Sequence, residues 1–329
     1  MHIHTRNWSM LLLATCLLSG ACSKPPTRSA SGLREVRLRL DWTPWAPHAA
    51  FYAAEDQGFF REEGLKVHMY VPPDPETTTK LVATGQDEFG ISYMTDTILA
   101  REQGFKVVSL AALIDHPLNC IMTLKASGID APARLKGKTI GSTGVPSDLA
   151  FLDGVLSRSG VSKGSYRLVN LGFNLAPALK SHKVDAILGA YWPWEGINME
   201  QEGYEINVIK LQDYGVPDYY ELIIVCRQDL IDKEPALLRS FLKAAVKGQA
   251  FVREHPDRAV EILHRASPEL KVNFLAASLR KMLPLMEFRG GQFRQEEKKW
   301  SEMISFMRVS GLIKTRPPAN TAFTNEFLP

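Results

Sequence analysis

Strand-like and helix-like segments alternate along this chain, and that alternation constrains the fold most. Residues 36–41 alternate apolar and polar side chains, which is typical of a half-buried strand. A helix-like stretch follows at 48–57, residues 65–71 are again strand-like, and Asp74 followed by Pro75 predicts the start of another helix. The pattern continues beyond residue 88 and predicts parallel sheets flanked by helices, an α/β fold.

One pattern occurs twice. A leucine, an aspartate and a tyrosine follow one another at steps of six residues in 81–93 and again in 179–191. Each copy reads as a helix, a tight turn and a strand that ends near Tyr93 or Tyr191. Open α/β sheets bind ligands at the carboxyl ends of their strands. The repeat therefore predicts two similar lobes, each presenting a tyrosine to a shared cleft.

The last third of the chain is predicted to be helical, over residues 235–254, 256–265, 272–285 and 295–311. Apolar residues recur there at helical spacing and predict a stripe that packs on the first lobe. Its members are Leu237, Leu238, Phe241, Leu242 and Ala245.

The N-terminus predicts export. A short basic start, an apolar run and three small residues precede Cys22, which predicts a lipoprotein signal peptide over residues 1–21 and a lipid on the Cys22 thiol. Cys16 is a weaker lipidation candidate, and an ordinary cleaved signal is the alternative. Residues 22–34 read as a flexible tether. We therefore expect a periplasmic or extracytoplasmic protein anchored to a bacterial membrane.

Bulk properties exclude several classes. A net charge of +3, with scattered Lys and Arg, carries no nucleic-acid footprint. No later apolar run is long enough to cross a bilayer. Cys120 and Cys226 lie in apolar strand-like runs and are expected to be buried thiols, with a disulfide between them as the alternative. We expect a monomer.

Enzyme signatures are absent from the sequence. It contains no phosphate-binding loop, no nucleophile elbow and no spaced set of metal ligands. We predict no catalytic residue, no metal and no cofactor.

Aromatic residues are concentrated in residues 41–48, 189–195 and 213–221. Rigid rings with nearby carboxylates are suited to a planar heterocycle that carries amines. Trp42, Tyr191 and Glu195 are predicted to contact such a ligand, whereas core packing is at least as good an interpretation for Trp194 and Tyr220.

The same segments resemble a known family. Asp41-Trp42-Thr43-Pro44 with Pro47-His48, and the segment 214–222, are similar to the type II periplasmic binding proteins of the thiamine-pyrimidine group. Its importer members bind formylaminopyrimidine and its fungal relatives are thiamine pyrimidine synthases. The resemblance implies one lobe from residues 35–124 and 226–329 and another from 125–225. A ligand cleft would lie between them, with two hinge crossings near 122–125 and 223–227.

The resemblance also implies a site. Its ligand-binding residues would match Trp42, His48, Tyr191 and Glu195, with Tyr93, Asn119, Ser142 and Tyr214 nearby. Trp42 and Tyr191 would stack on the ring, Glu195 would accept from its amine, and the amides after Ser142 would meet an acceptor oxygen. An ABC permease and its ATPase would be the partners, taking a thiamine-precursor pyrimidine from the cleft.

Three other functions remain open from the sequence. The first is binding of riboflavin, a sulfonate or taurine. The second is a synthase, although the resemblance places the synthase's lysine and histidine near Ser92 and Asp96, and its Cys-rich iron motif where this chain has one cysteine. The third is a sensor lipoprotein that does not transport.

Overall fold

The computed structural model describes residues 32–73, 77–172 and 174–329. The predicted signal peptide, Cys22, the tether up to residue 31 and the predicted helix start at Asp74 and Pro75 lie outside the described residues. Among the helices in those three ranges, none combines the length and the apolar character needed to span a bilayer.

The first sheet has five strands in the order β2-β1-β3-β10-β4. The alternating segment predicted from the sequence is β1, in which Val36 and Leu38 are fully buried and Arg37 is exposed. β1 is parallel to β2 and β3, whereas β10 is antiparallel to β3 and β4. The strands are β1 (Arg34–Arg39), β2 (Leu65–Tyr70), β3 (Phe89–Ser92), β4 (Val107–Ala112) and β10 (Ile223–Arg227).

The second sheet repeats this arrangement in the order β7-β6-β8-β5-β9. β6 is parallel to β7 and β8, and β5 is antiparallel to β8 and β9. β3 and β8 hold equivalent places in the two sheets, and they are the strands at which the two copies of the sequence repeat end. The strands are β5 (Asn119–Leu124), β6 (Thr139–Ser142), β7 (Arg167–Asn170), β8 (Ala186–Tyr191) and β9 (Ile206–Lys210).

Helices flank both sheets, so the predicted α/β class is confirmed. Those before β5 are α1 (Ala49–Asp56), α2 (Phe59–Glu62), α3 (Thr77–Ala83) and α4 (Met94–Glu102). Those associated with the second sheet are α5 (Pro146–Arg158), α6 (Leu175–Lys180) and α7 (Ile197–Gln201). The C-terminal set is α8 (Gln228–Lys233), α9 (Pro235–Glu254), α10 (Pro256–Ala266), α11 (Val272–Met282) and α12 (Glu297–Val309).

Helix α9 anchors the C-terminal helices to the first sheet. All five residues of its predicted apolar stripe are buried. Phe241 stacks on Phe89 of β3 with ring centroids 4.0 Å apart, and Gly248 lets the backbone of α1 approach closely at Ala50. Helices α9, α10 and α11 are thus part of the core beneath the first sheet, whereas α12 packs in a second cluster that includes α5.

The chain passes between the sheets at residues 113–118 and 211–222. β5 pairs with β8 and β9, so residues 119–124 belong to the second sheet, although the predicted boundary placed them in the first lobe. Ile223 begins β10 in the first sheet, a few residues before the predicted boundary at 225. The segments 122–125 and 223–227, predicted as hinges, therefore lie mostly within strands. A strand exchanged between two halves is paired by long-range hydrogen bonds, which a local pattern does not encode.

Candidate functional site

A cavity of about 780 Å³ lies between the two sheets. The first sheet contributes the turn after β1, the residues after β3 and helices α3 and α4. The second contributes the start of β5, the loop before α5 and the end of β8. The cavity therefore opens where strand ends from both sheets converge, which is where α/β folds bind ligands.

Aromatic rings form one wall of the cavity. Trp45 and Tyr191 are stacked, with ring centroids 6.5 Å apart and planes inclined by 28°. Trp194 meets Trp45 edge-on at 5.1 Å and continues into the core through Phe274. Trp194 thus both packs and lines the cavity. Tyr220 is fully buried, as core packing predicts.

Asp41 follows β1 directly and is 1% exposed. Its Oδ1 lies 2.7 Å from His48 Nε2, and Tyr93 donates its hydroxyl to Oδ2 at 3.2 Å. His48 Nδ1 accepts from the Trp45 amide at 3.2 Å, so Nε2 carries the hydrogen that is donated to Asp41. His48 is therefore a neutral imidazole that orients Asp41 from behind the cavity wall.

Glu221 lies at the end of the second crossing and joins it to the first. It accepts from the amides of Leu118 and Asn119 at 2.8 and 3.2 Å and from the hydroxyls of Tyr191 and Tyr219 at 2.9 and 3.2 Å. Burial raises the pKa of its carboxyl, and these four donors oppose that rise.

Glu195 lies on a π-helical turn, Trp192–Gly196, directly after β8. Such turns are rare and are often found at functional sites. The Tyr191 amide donates to its carboxylate at 2.7 Å, and burial raises its pKa to about 7. Glu195 can therefore change its protonation state near neutral pH.

Asp148, in the first turn of α5, faces the cavity from the second sheet. Asn119 donates to its Oδ1 at 2.8 Å, and the Thr143 hydroxyl donates to Oδ2. Burial raises the pKa of Asp148. Gly189 completes this corner because it occupies a bulge in β8 with φ of +92°, and its amide donates to Asn119 Oδ1 at 3.1 Å.

The charge of the lining is strongly acidic. Asp41, Asp148, Glu195 and Glu221 line the cavity together with Asp96, and among the described lining residues Lys80 is the single cationic side chain. Within the part of the chain that the structure describes, no group of three or more His, Cys, Asp or Glu is arranged to hold a metal ion.

The predicted site residues fall into two groups. Five line the cavity: Trp42, Tyr93, Asn119, Tyr191 and Glu195. His48 is buried behind Asp41, Ser142 is buried beside the lining residue Thr143, and Tyr214 packs half-buried against the core of the second lobe.

Four lining carboxylates, Asp41, Asp96, Asp148 and Glu221, were not predicted as ligand contacts. Asp41 follows the first strand directly, and that position at a strand's carboxyl end was a signal that could have identified it. Glu221 ends the aromatic segment 213–221, which was a signal that could have identified it. Asp96 and Asp148 are isolated acids with no distinctive spacing, and their placement depends on the packing of the two halves.

Comparisons with known proteins agree with this architecture. The NMT1/THI5-like family model matches residues 45–259. The chain is 32% identical to the formylaminopyrimidine-binding protein of Halalkalibacterium halodurans, over 95% of this chain and 97% of that protein. It is 26% identical to the 4-amino-5-hydroxymethyl-2-methylpyrimidine phosphate synthase of Legionella pneumophila, over 89% of this chain and 92% of that protein.

Among solved structures, the periplasmic aliphatic sulphonate binding protein SsuA from Escherichia coli superimposes with a TM-score of 0.72. Identity is 14%, and the match covers 88% of this chain and 91% of that chain. This likeness shows the fold, which is that of the type II periplasmic binding proteins, with two α/β lobes about a cleft.

Proposed function

We propose that this chain, which belongs to the NMT1/THI5-like family, is the substrate-binding protein of an ABC importer for a thiamine-precursor pyrimidine. The ligand would be of the formylaminopyrimidine or hydroxymethylpyrimidine type. The relative from Halalkalibacterium halodurans, which is named for binding formylaminopyrimidine, supports this choice of ligand.

The observation that carries the proposal is the pairing of aromatic rings with carboxylates in one cavity. A flat heterocycle can pack against Tyr191 and Trp42, which both line the cavity, and this contact buries apolar surface of the ring. Glu195 then accepts from an exocyclic amine, and a charge-assisted hydrogen bond of this kind is stronger than a neutral one. Asn119 and Thr143, which also line the cavity, provide further polar contacts.

A sulfonate is a poor ligand for this cavity. Sulfonates need cationic or neutral donors, whereas five carboxylates and a single lysine line the cavity among the described residues. Bringing an anion among buried carboxylates costs free energy in a site of low dielectric. The likeness to the sulphonate-binding protein therefore supports the assignment of the fold and does not identify the ligand.

A synthase activity has less support than binding. Ser92, where the resemblance places the synthase lysine, is buried and forms a 2.6 Å hydrogen bond with Thr79. The resemblance places the synthase histidine near Asp96, a carboxylate in this chain. A serine hydroxyl cannot form the imine that the lysine amine forms with an aldehyde cofactor.

Transport would proceed through closure of the cleft. A ligand that contacts both lobes stabilises the closed form in proportion to its preference for that form. We propose the segments 113–118 and 211–222 as the hinge and Cys22 as the lipid anchor that keeps the protein at the membrane beside its permease.

Thermal-shift screening tests the proposal. A ligand that binds the folded state alone adds about 2.7 kcal/mol of stability at a hundredfold excess over its Kd. Formylaminopyrimidine or hydroxymethylpyrimidine should raise the Tm, while taurine and alkyl sulfonates should leave it unchanged. A rise with riboflavin or a sulfonate alone would contradict the proposed ligand. Conversion of added pyridoxal phosphate into a pyrimidine product in the presence of iron would contradict the binding role.

A further inference from the structure

We propose that the cleft takes its pyrimidine as a cation, with the ring protonated on nitrogen, and that Glu195 is the principal counter-ion. This inference rests on the proposed function and specifies the chemical form of the ligand that the same site selects.

The first step is the arrangement of charge. Asp41, Asp96, Asp148, Glu195 and Glu221 reach the cavity from five different segments: the turn after β1, helix α4, helix α5, the π-helical turn and the second crossing. Lys80 on α3 is the one cation among the described lining residues, and it is exposed to solvent. Solvent screens such a side chain, so it offsets little of the buried negative charge.

The second step is that neutral groups hold three of these carboxylates, Asp41, Asp148 and Glu221. Asp41 bonds to the neutral imidazole of His48 and to the Tyr93 hydroxyl. Glu221 is held by two amides and two tyrosine hydroxyls, and Asp148 by the Asn119 amide and the Thr143 hydroxyl. Hydrogen bonds from neutral donors stabilise a carboxylate without cancelling its charge.

The third step concerns Glu195. Within the described residues its carboxylate accepts from backbone amides, those of Tyr191 and of Glu195 itself. Burial raises its pKa to about 7, which reports the cost of keeping an anion there. A cation placed beside it removes that cost, whereas a neutral ligand does not.

The fourth step is the chemistry of the ligand. Protonation of an aminopyrimidine turns one ring nitrogen from an acceptor into a donor and spreads the positive charge onto the exocyclic amine. Such a ring offers carboxylates charge-assisted hydrogen bonds. Its flat cationic face also suits the rings of Tyr191 and Trp45. The same site thereby disfavours neutral pyrimidinones of equal size.

The test locates the proton spectroscopically. Hydroxymethylpyrimidine is bound to the full-length protein at a pH well above the ring pKa of the free compound, and the ultraviolet spectrum of the bound ligand is recorded. The inference predicts the spectrum of the protonated ring. Titration calorimetry in two buffers of different ionisation enthalpy should show uptake of one proton.

Matched variants assign the counter-ion. Glu195→Gln should lower the pH at which the bound ligand loses its proton by about one unit and weaken binding about tenfold. Glu205→Gln removes an acid that is exposed in a surface pair with Lys125 and should change neither quantity. An unchanged midpoint in Glu195→Gln would contradict its role as counter-ion.

The outcomes separate this inference from the proposed function. Tight binding with the spectrum of the neutral ring overturns the cation inference and leaves the importer function intact, even if a proton is taken up, since the proton would then lie on the protein. If none of the thiamine-precursor pyrimidines binds, both the cation inference and the proposed importer function are overturned.

Discussion

At the scale of single residues, the cavity keeps acidic side chains in surroundings that oppose their charge. Glu195, Asp148 and Glu221 all have pKa values raised by burial. Folding therefore gives up some stability to keep them at the binding surface. Strained or costly groups of this kind are common at functional sites.

Glu195→Gln should remove part of the pH dependence of stability. A carboxyl whose folded-state pKa is raised contributes stability that is fully present below its unfolded pKa, near 4.5, and is lost as pH rises through about 7. Relative to the glutamine variant, the wild type should lose at most about 3 kcal/mol between those values, and less because Glu195 is half-buried. Urea unfolding at pH 5 and pH 8 measures the difference, and parallel pH profiles would contradict it.

His48→Ala should destabilise the protein by about 3 kcal/mol, because it removes a donor from the buried carboxylate of Asp41. The control is the same change made in an Asp41→Asn background, where no charge is left without its partner. A double-mutant cycle from denaturant unfolding should give a coupling energy above about 1 kcal/mol. Additive effects would show that the two residues act independently.

Sequence patterns predicted aromatic and acidic residues unequally. Trp42, Tyr191 and Glu195 belong to dense local aromatic clusters, Tyr93 ends the first copy of the sequence repeat, and all four line the cavity. Asp148 lies outside these clusters, and both Asp148 and Glu221 accept from donors more than 25 residues away in the chain, such as Asn119. Local composition therefore carries information about rings and little about isolated carboxylates.

At the scale of elements, predictions of local periodicity succeeded, whereas predictions about β5 and β10, the strands next to the crossings between the sheets, did not. Helix α9 matches its predicted bounds because its apolar period is local and strong. The partners of β5 and β10 could not be predicted in this way, since an apolar run pairs equally well with either sheet. The two segments predicted as hinges lie mostly within these strands for the same reason.

Gly189→Ala should weaken ligand binding about tenfold, because a Cβ there would lie 2.6 Å from Asp148 Oδ2 and from Thr143 Cγ2. Gly104→Ala is the matched control: its φ of +90° imposes similar backbone strain, but its Cβ would meet no atom within 4 Å. Gly104→Ala should lose about 1 kcal/mol of stability from backbone strain alone, and Gly189→Ala should lose at least as much because of the added contacts. Calorimetry measures ligand affinity in both variants. Equal affinities would show that ligand binding does not require a glycine at the bulge.

Gly248→Ala should destabilise the fold by about 3 kcal/mol, because a Cβ would lie 2.0 Å from the Ala50 carbonyl oxygen and force α1 away from α9. Gly154→Ala serves as the control, because its Cβ would meet the edge of the Phe306 ring at 3.2 Å and the gain in helix propensity offsets that contact. Thermal unfolding measures both. A neutral Gly248→Ala would show that the helices do not pack this closely.

At the scale of the whole molecule, the two crossings are tied to each other and to the C-terminal helices. Glu221 bonds the second crossing to Leu118 and Asn119 on the first. Lys299 of α12 lies 2.9 Å from both Asp115 and Asp218, one residue on each crossing. Hydrogen bonds and ion pairs therefore hold the two crossings together. Glu221 also connects them to the cavity, because it accepts from the Tyr191 hydroxyl.

The most direct test of the central claim is calorimetric titration of formylaminopyrimidine into the wild type, Tyr191→Ala and Tyr214→Ala. Tyr191 lines the cavity, whereas Tyr214 packs in the second lobe away from it. We expect saturable one-to-one binding to the wild type and to Tyr214→Ala, with affinity at least about tenfold weaker in Tyr191→Ala. Absence of binding to the wild type, or equal affinity in all three proteins, would contradict a pyrimidine site in this cleft.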